Sequence, residues 1–228
     1  MPSPTDVAFH DWNVEEREYR RHEERRGRRH AIESLDPTRT ALVVVDVVRF
    51  FVEESAYCRG IVPSVDLLAD ELRATGGTVA WVVPGYREPS PRDREHLGDE
   101  VAERYARAGG PGTPRERLWP GLAVADGDLV VEKTASSAFF PGRSALPALL
   151  AERGVDTVLV TGTVTNVCVE ASVRDAATLD HRVILVADAC AAMRDRDHNA
   201  TLHVVYRSYG DVRPTADVVD LIRGYSAG

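Results

Sequence analysis

From residue 40 onward the chain alternates short β-branched apolar runs with stretches of helical periodicity, and that alternation sharply limits its fold. ALVVVD (41–46) is a continuous apolar run ending in Asp. A strand buried on both faces, as in a parallel sheet, reads this way. TVAWVV (78–83), DLVVEK (128–133), DTVLVTG (156–162) and RVILVADA (182–189) repeat the signal. Between and after them, helical spacing predicts helices over 63–75, 144–154, about 167–179, roughly 197–209 and 214–223, with Gly76-Gly77 and Gly154 as stops. Strands alternating with helices predict an α/β fold, a three-layer α/β/α sandwich around a central parallel sheet. The segment 84–127, rich in Pro, Gly and charge, reads as a long excursion of the kind that forms lids or substrate walls. One domain is expected over 39–228, preceded by a charged arm at 1–38. Within the arm, WNVEEREYRRHEERRGRRH predicts an exposed helix with little apolar face. This helix is expected to pack on the body or on a neighbouring subunit, and the second would make the protein a homo-oligomer.

The balance of charge narrows the partners. A formal charge of −8 argues against nucleic acid or an anionic membrane, and the glutamates interleaved among the arm's arginines argue the same locally. No apolar run is long enough to span a bilayer. The first residues, MPSPTDVAFHDW, have no basic stretch followed by an apolar one, so no secretory leader is expected. Three widely separated cysteines, Cys58, Cys168 and Cys190, fit a reduced cytoplasmic protein better than a disulfide scaffold. No Cys or His pair has zinc-ligand spacing, so neither metal nor cofactor is expected, and the partner is a small-molecule substrate.

Lys133 is the only lysine among 28 basic residues. Where arginine serves every solvated role, a surviving lysine marks a place that needs a compact ammonium and not a wide guanidinium. It also closes the third strand. Asp46 closes the first strand, and Cys168 follows the fourth strand and the turn GTVTN, at the mouth of a helix. Ligands bind outside the carboxyl ends of strands in open α/β sheets. The three side chains therefore converge on one sheet edge, where a helix N-terminus and an ammonium would favour a Cys168 thiolate and Asp46 could move protons. Cys58 and Cys190 read as structural, and His198 and Asn199 as residues opening a helix.

These motifs resemble those of the isochorismatase-like hydrolases. ALVVVDVVRFF is similar to their first-strand motif, VVEKTASSAFF to their Lys motif, and VTGTVTNVCVEASVRDA followed by VILVADACAA to their nucleophile motif and next strand. The match runs in order from about residue 40 to 223. It implies an isochorismatase-like, Rossmann-like fold, with Asp46 as general base and acid, Lys133 as electrostatic support and Cys168 as nucleophile. It also implies a cis peptide between Thr163 and Val164, and an oxyanion hole formed by the backbone N–H groups of Val164 and Cys168.

Within that family, amidohydrolases keep the nucleophilic Cys, whereas vinyl-ether-cleaving isochorismatases commonly lack it. Cys168 therefore favours C–N hydrolysis, of an amide or ureido bond, over vinyl-ether hydrolysis; the intact triad argues against a non-catalytic binding protein. The stretch GGPGTP (109–114) resembles ureidoacrylate and biuret amidohydrolases, with N-carbamoylsarcosine amidohydrolase a further relative. Nicotinamidases carry metal-binding His residues after the second strand, but here His96 stands alone. Two positions depart from the family. Val48, followed by Arg49, stands where Gln is usual, which removes a polar group near the base. Trp119 and Pro120 stand where acidic lid residues are common. Substrate contacts are expected from Phe51, Trp81, Tyr86, Trp119 and Phe140, and Arg49, Arg87 and Arg207 are candidates to hold a substrate carboxylate.

Overall fold

The computed structural model describes residues 6–225. Helix α1 (Glu16–Arg26) precedes β1 (Thr40–Val45), and the short helices α2 (Arg49–Val52) and α3 (Ala56–Gly60) lead into α4 (Val62–Ala74) and β2 (Thr78–Pro84). Next come α5 (Pro91–Leu97), α6 (Asp99–Ala106), α7 (Pro114–Arg117), β3 (Leu129–Lys133), α8 (Leu146–Glu152) and β4 (Thr157–Thr163). A wide turn at Thr165–Val169 leads into α9 (Glu170–Thr178), followed by β5 (Arg182–Ala191), α10 (Asp195–Ser208), β6 (Asp211–Arg213) and α11 (Thr215–Arg223). The six strands pair in parallel in the order β3-β2-β1-β4-β5-β6.

Strand alternation explains the three layers. Val43 and Val45 face one apolar cluster, built with Leu150 of α8, Val173 of α9 and Leu202 of α10. Leu42 and Val44 face the other, built with Leu68 of α4 and Ile222 of α11. Successive side chains of a strand point to opposite faces, so a central strand covered by helices on both sides must be apolar throughout. All six residues of β1 are buried accordingly. From β1 the chain steps outward through β2 to β3, then returns to β4 on the other side of β1. The connections diverge at the carboxyl ends of β1 and β4, opening a crevice at this topological switch point.

Gly162 sits beside that crevice, where the β4–β5 register shifts. Its φ is +111°, and an added Cβ would overlap the Val45 carbonyl oxygen. Both the left-handed backbone and the close approach require glycine. Gly162→Ala is expected to destabilise the fold by about 3 kcal/mol or more. Chemical denaturation would measure this, and an unchanged midpoint would contradict it.

Two parts of the fold differ from the sequence expectation, and a third, the arm, takes one of the two packings expected for it. The 84–127 excursion is partly helical. Ser90 with Asp93, and Thr113 with Glu116, form capping boxes, each followed by Pro in the first turn. β6 pairs with β5 along the sheet edge, although its sequence, Asp-Val-Arg, has no apolar run. Its charges are satisfied by the arm: Ala31 and Ile32 donate backbone N–H bonds of 2.8 Å to Asp211, and Arg213 donates to the Ile32 carbonyl. The arm itself folds back on its own body. Val14 and Glu18 are buried, and Tyr206 donates to the Arg29 carbonyl. The arm is thus packed within its own chain.

Candidate active site

Asp46 is the residue immediately beyond β1. Its φ is +53°, a left-handed conformation uncommon for a non-glycine residue. Its N–H donates to the Val82 carbonyl at 2.9 Å, and its carbonyl accepts from the Thr163 hydroxyl at 2.7 Å. These bonds to β2 and β4 hold the turn against its conformational cost. Lys133 ends β3, and its side chain reaches Asp46. The Nζ–Oδ2 distance is 2.8 Å, with Lys133 3% and Asp46 1% exposed. The Lys133 ammonium also donates to the Ala135 carbonyl at 3.1 Å. Buried charges persist only when paired, and this pair meets that condition. Val48 packs its side chain in the apolar cluster on the α4 side. No polar side chain replaces the Gln usual there, and neither Asp46 carboxylate oxygen has a well-aligned hydrogen bond, the Lys133 contact being an ion pair.

Cys168 lies in the turn after β4, where Val167 and Val169 both donate to the Val164 carbonyl, at 2.9 and 3.4 Å. The Thr163–Val164 peptide is cis. The Cys168 carbonyl accepts from the Ser172 hydroxyl at 2.7 Å, and that hydroxyl accepts from the Ala138 N–H at 2.9 Å. Ser172 thus ties the helix of Cys168 to the loop beyond Lys133. Cys168 lines the same cavity end as Asp46 and Lys133, close enough for both to act on its thiol.

The charges in the site act on one another. Burial pushes the Cys168 thiol up to about 12, the Asp46 carboxylate pushes in the same direction, and Lys133 opposes them. Burial raises the Asp46 carboxyl, with Lys133 pulling it down. Burial works to lower Lys133, but Asp46 and then Cys168 outweigh it, so its ammonium is held above its ordinary value. The expectation that a helix N-terminus makes Cys168 a low-pKa thiol is therefore corrected. Burial likewise pushes Cys58 up to about 11, so what distinguishes Cys168 is access: it is partly exposed, whereas Cys58 and Cys190 are buried.

A cavity of about 600 Å³ opens onto Asp46, Lys133, Val164 and Cys168. Of the expected aromatic contacts, only Phe51 lines it. Trp81 sits in the middle of β2 on the α4 face, fully buried, with its indole N–H donated to Asp128 at 2.7 Å. Strand alternation turns it away from the crevice. Trp119 packs on the same apolar cluster, and its N–H donates to the Val47 carbonyl at 2.9 Å. Tyr86 and Phe140 project into solvent, 60% and 50% exposed. The remaining apolar wall comes chiefly from Leu97 and Tyr105 on α5 and α6 and from Val167. Sequence reasoning missed the first two because they lie in a charged segment read as loop.

Among the three candidate arginines, only Arg87 reaches the cavity, where it lies 2.6 Å from Asp93. The Ser90 N–H and hydroxyl and the Arg87 guanidinium hold the Asp93 carboxyl well below the usual range. Arg49 pairs with Glu53 at 3.2 Å, and Arg207 lies 3.8 Å from Glu18 of the arm. His96 lines the cavity wall. Among the described residues no group of three or more His, Cys, Asp or Glu side chains is arranged to hold a metal ion.

A parallel sheet with a cysteine and a buried ion pair at its switch point defines an α/β protein of the cysteine-hydrolase type. The Isochorismatase domain matches residues 40–217, and the chain belongs to that family of hydrolases. It is 30% identical over 195 residues to the uncharacterized isochorismatase family protein YwoC of Bacillus subtilis, covering 83% of this chain and 97% of that one. It is 28% identical to the ureidoacrylate amidohydrolase RutB of Agrobacterium fabrum, over 83% of this chain and 92% of the relative. A solved cysteine hydrolase from Pseudomonas syringae pv. phaseolicola superposes with a TM-score of 0.74 at 27% identity, covering 86% of this chain and 97% of that chain.

Proposed function

We propose that the protein hydrolyses a C–N amide or ureido bond of a small molecule through a thioester on Cys168. The observation that carries this reading is the Asp46–Lys133 ion pair at 2.8 Å, lining one cavity with Cys168. A protonated thiol beside a carboxylate whose own pKa is raised is a matched donor and base. Asp46 takes the thiol proton as Sγ attacks the carbonyl carbon. The negative charge that develops on the carbonyl oxygen is met by the N–H groups of Val164 and Cys168. As the tetrahedral species collapses, the C–N bond breaks and Asp46 passes its proton to the leaving nitrogen, releasing ammonia or an amine. Water then attacks the thioester with Asp46 again as base; the acid departs and the proton returns to Sγ. Lys133 stays charged throughout and balances whichever partner is anionic. The similarity to an amidohydrolase supports the choice of bond. The three free cysteines fit work in a reducing, cytoplasmic compartment.

Primary amides and ureido acids should be screened for ammonia release, with samples quenched in acid during turnover and their peptides mapped by mass. The expected result is ammonia release with an acyl group on the Cys168 peptide. Pyruvate release from a vinyl ether with no adduct at Cys168 would overturn the assignment in favour of isochorismatase-type chemistry.

A further inference from the structure

The start of the arm is fastened to the turn that carries the nucleophile. The Thr165 hydroxyl shares a 2.9 Å hydrogen bond with His198 Nδ1, and both residues are fully buried. Burial pushes His198 down to about 3, so its ring is neutral. Against one face of that ring lies His10 of the arm, with centroids 4.3 Å apart and planes at 10°. The other face of His10 stacks on Tyr57 at 4.0 Å. The His10 side chain is only 3% exposed.

Its hydrogen bonds are directional. Nε2 accepts the backbone N–H of Ala192 at 3.0 Å, so the ring proton sits on Nδ1 and is donated to Asp195 at 2.6 Å. The next residues are fixed as firmly. The Asn199 side chain donates to the Asp11 carbonyl and accepts the Asn13 N–H, both at 2.9 Å. The Ala8 carbonyl passes so close over Gly60 that a Cβ there would overlap it.

These contacts bracket one peptide segment. Ala191, the neighbour of Ala192, pairs in register with Thr163. His198 holds Thr165. His10 therefore touches the supports of the residues on both sides of Val164. We infer that His10 is a positioning residue for the Val164–Cys168 turn, and that the arm, which lies outside the family-matched range 40–217, is a working part of the active site. This inference rests on the proposed thioester chemistry for its effect on rate, but not for its effect on the turn.

Two measurements on His10→Ala test it. Hydrogen exchange of the amides in 163–169 should quicken about tenfold or more, while the central strands keep their protection. On an amide substrate, kcat should fall on the order of tenfold to a hundredfold with KM within about twofold, because aim is lost and binding is not. Arg21→Ala, which removes an arm contact to Glu18 far from this turn, should change neither. Should His10→Ala fail to fold, His10→Phe keeps the stack between Tyr57 and His198 and removes both hydrogen bonds, and is judged by the same two readings. Unchanged exchange at 163–169, unchanged kcat despite a loosened turn, or equal loosening by Arg21→Ala would each overturn the inference. Should no amide be turned over at all, that failure falls on the proposed function, and exchange alone decides the role of His10.

Discussion

Asp46→Asn is expected to lower amide turnover by about a thousandfold or more and, at the same time, to make Cys168 react faster with iodoacetamide. The first half follows from losing the carboxylate that the proposed mechanism uses as base and acid. The second half follows from the charge balance of the site. Lys133 is buried and needs one anion beside it. In the native protein that anion is Asp46, and its field adds to burial in pushing the Cys168 thiol up to about 12. A neutral amide at position 46 removes the field and leaves the ammonium without a counter-ion. A Cys168 thiolate then becomes the group that best satisfies Lys133, so its titration moves down and thiolate is populated at lower pH. The measurement is the rate of carbamidomethylation at pH 7, resolved by peptide mapping. Cys58 and Cys190 serve as internal references, since both are buried and neither touches Asp46. An unchanged or slower rate at Cys168 would mean that Asp46 does not keep the thiol protonated.

The sequence revealed the frame and the reactive groups for one physical reason. Buried parallel strands must be continuously apolar, so the polar residue that ends each run stands out. Asp46 after five apolar residues and Lys133 as the sole lysine were visible in this way. Relations between distant segments were not visible. Trp81 looks like a pocket aromatic until the pleat turns it into the core beside Asp128. The acid strength of Cys168 was misjudged because a position near a helix start is a local feature, whereas burial and the Asp46 field are set by three strands meeting. The helices of the 84–127 excursion did carry local signals: Ser90-Pro-Arg-Asp93 and Thr113-Pro-Arg-Glu116 are capping boxes with Pro in the first turn. His10 had no local signal at all, because its partners lie at Tyr57, Ala192, Asp195 and His198.

Lys133→Arg is expected to lower turnover by about a hundredfold or more while leaving the fold in place. In a chain whose other basic residues are all arginine, composition would rate this change as conservative. The site contradicts that rating. Lys133 is 3% exposed, and its ammonium already serves the Asp46 carboxylate and the Ala135 carbonyl, with Cys168 on the same cavity. An ammonium is compact and can turn its donors toward several acceptors, whereas a guanidinium is a planar fork that spreads its charge and locks onto one carboxylate edge. Placed here, the longer side chain must displace the Cys168 thiol or enter the space that the proposed mechanism gives to the substrate carbonyl. A bidentate grip on Asp46 would also hold the carboxylate ionised and weaken it as the base of the proposed mechanism, in which it carries a proton from Sγ to the leaving nitrogen. The two effects act in the same direction. The test compares kcat/KM for the variant and the native enzyme on an amide the screen returns, with circular dichroism and thermal unfolding to confirm that the fold persists. Near-native turnover by the arginine variant would show that the site needs only a positive charge, and Lys133 would lose its place in the proposed mechanism.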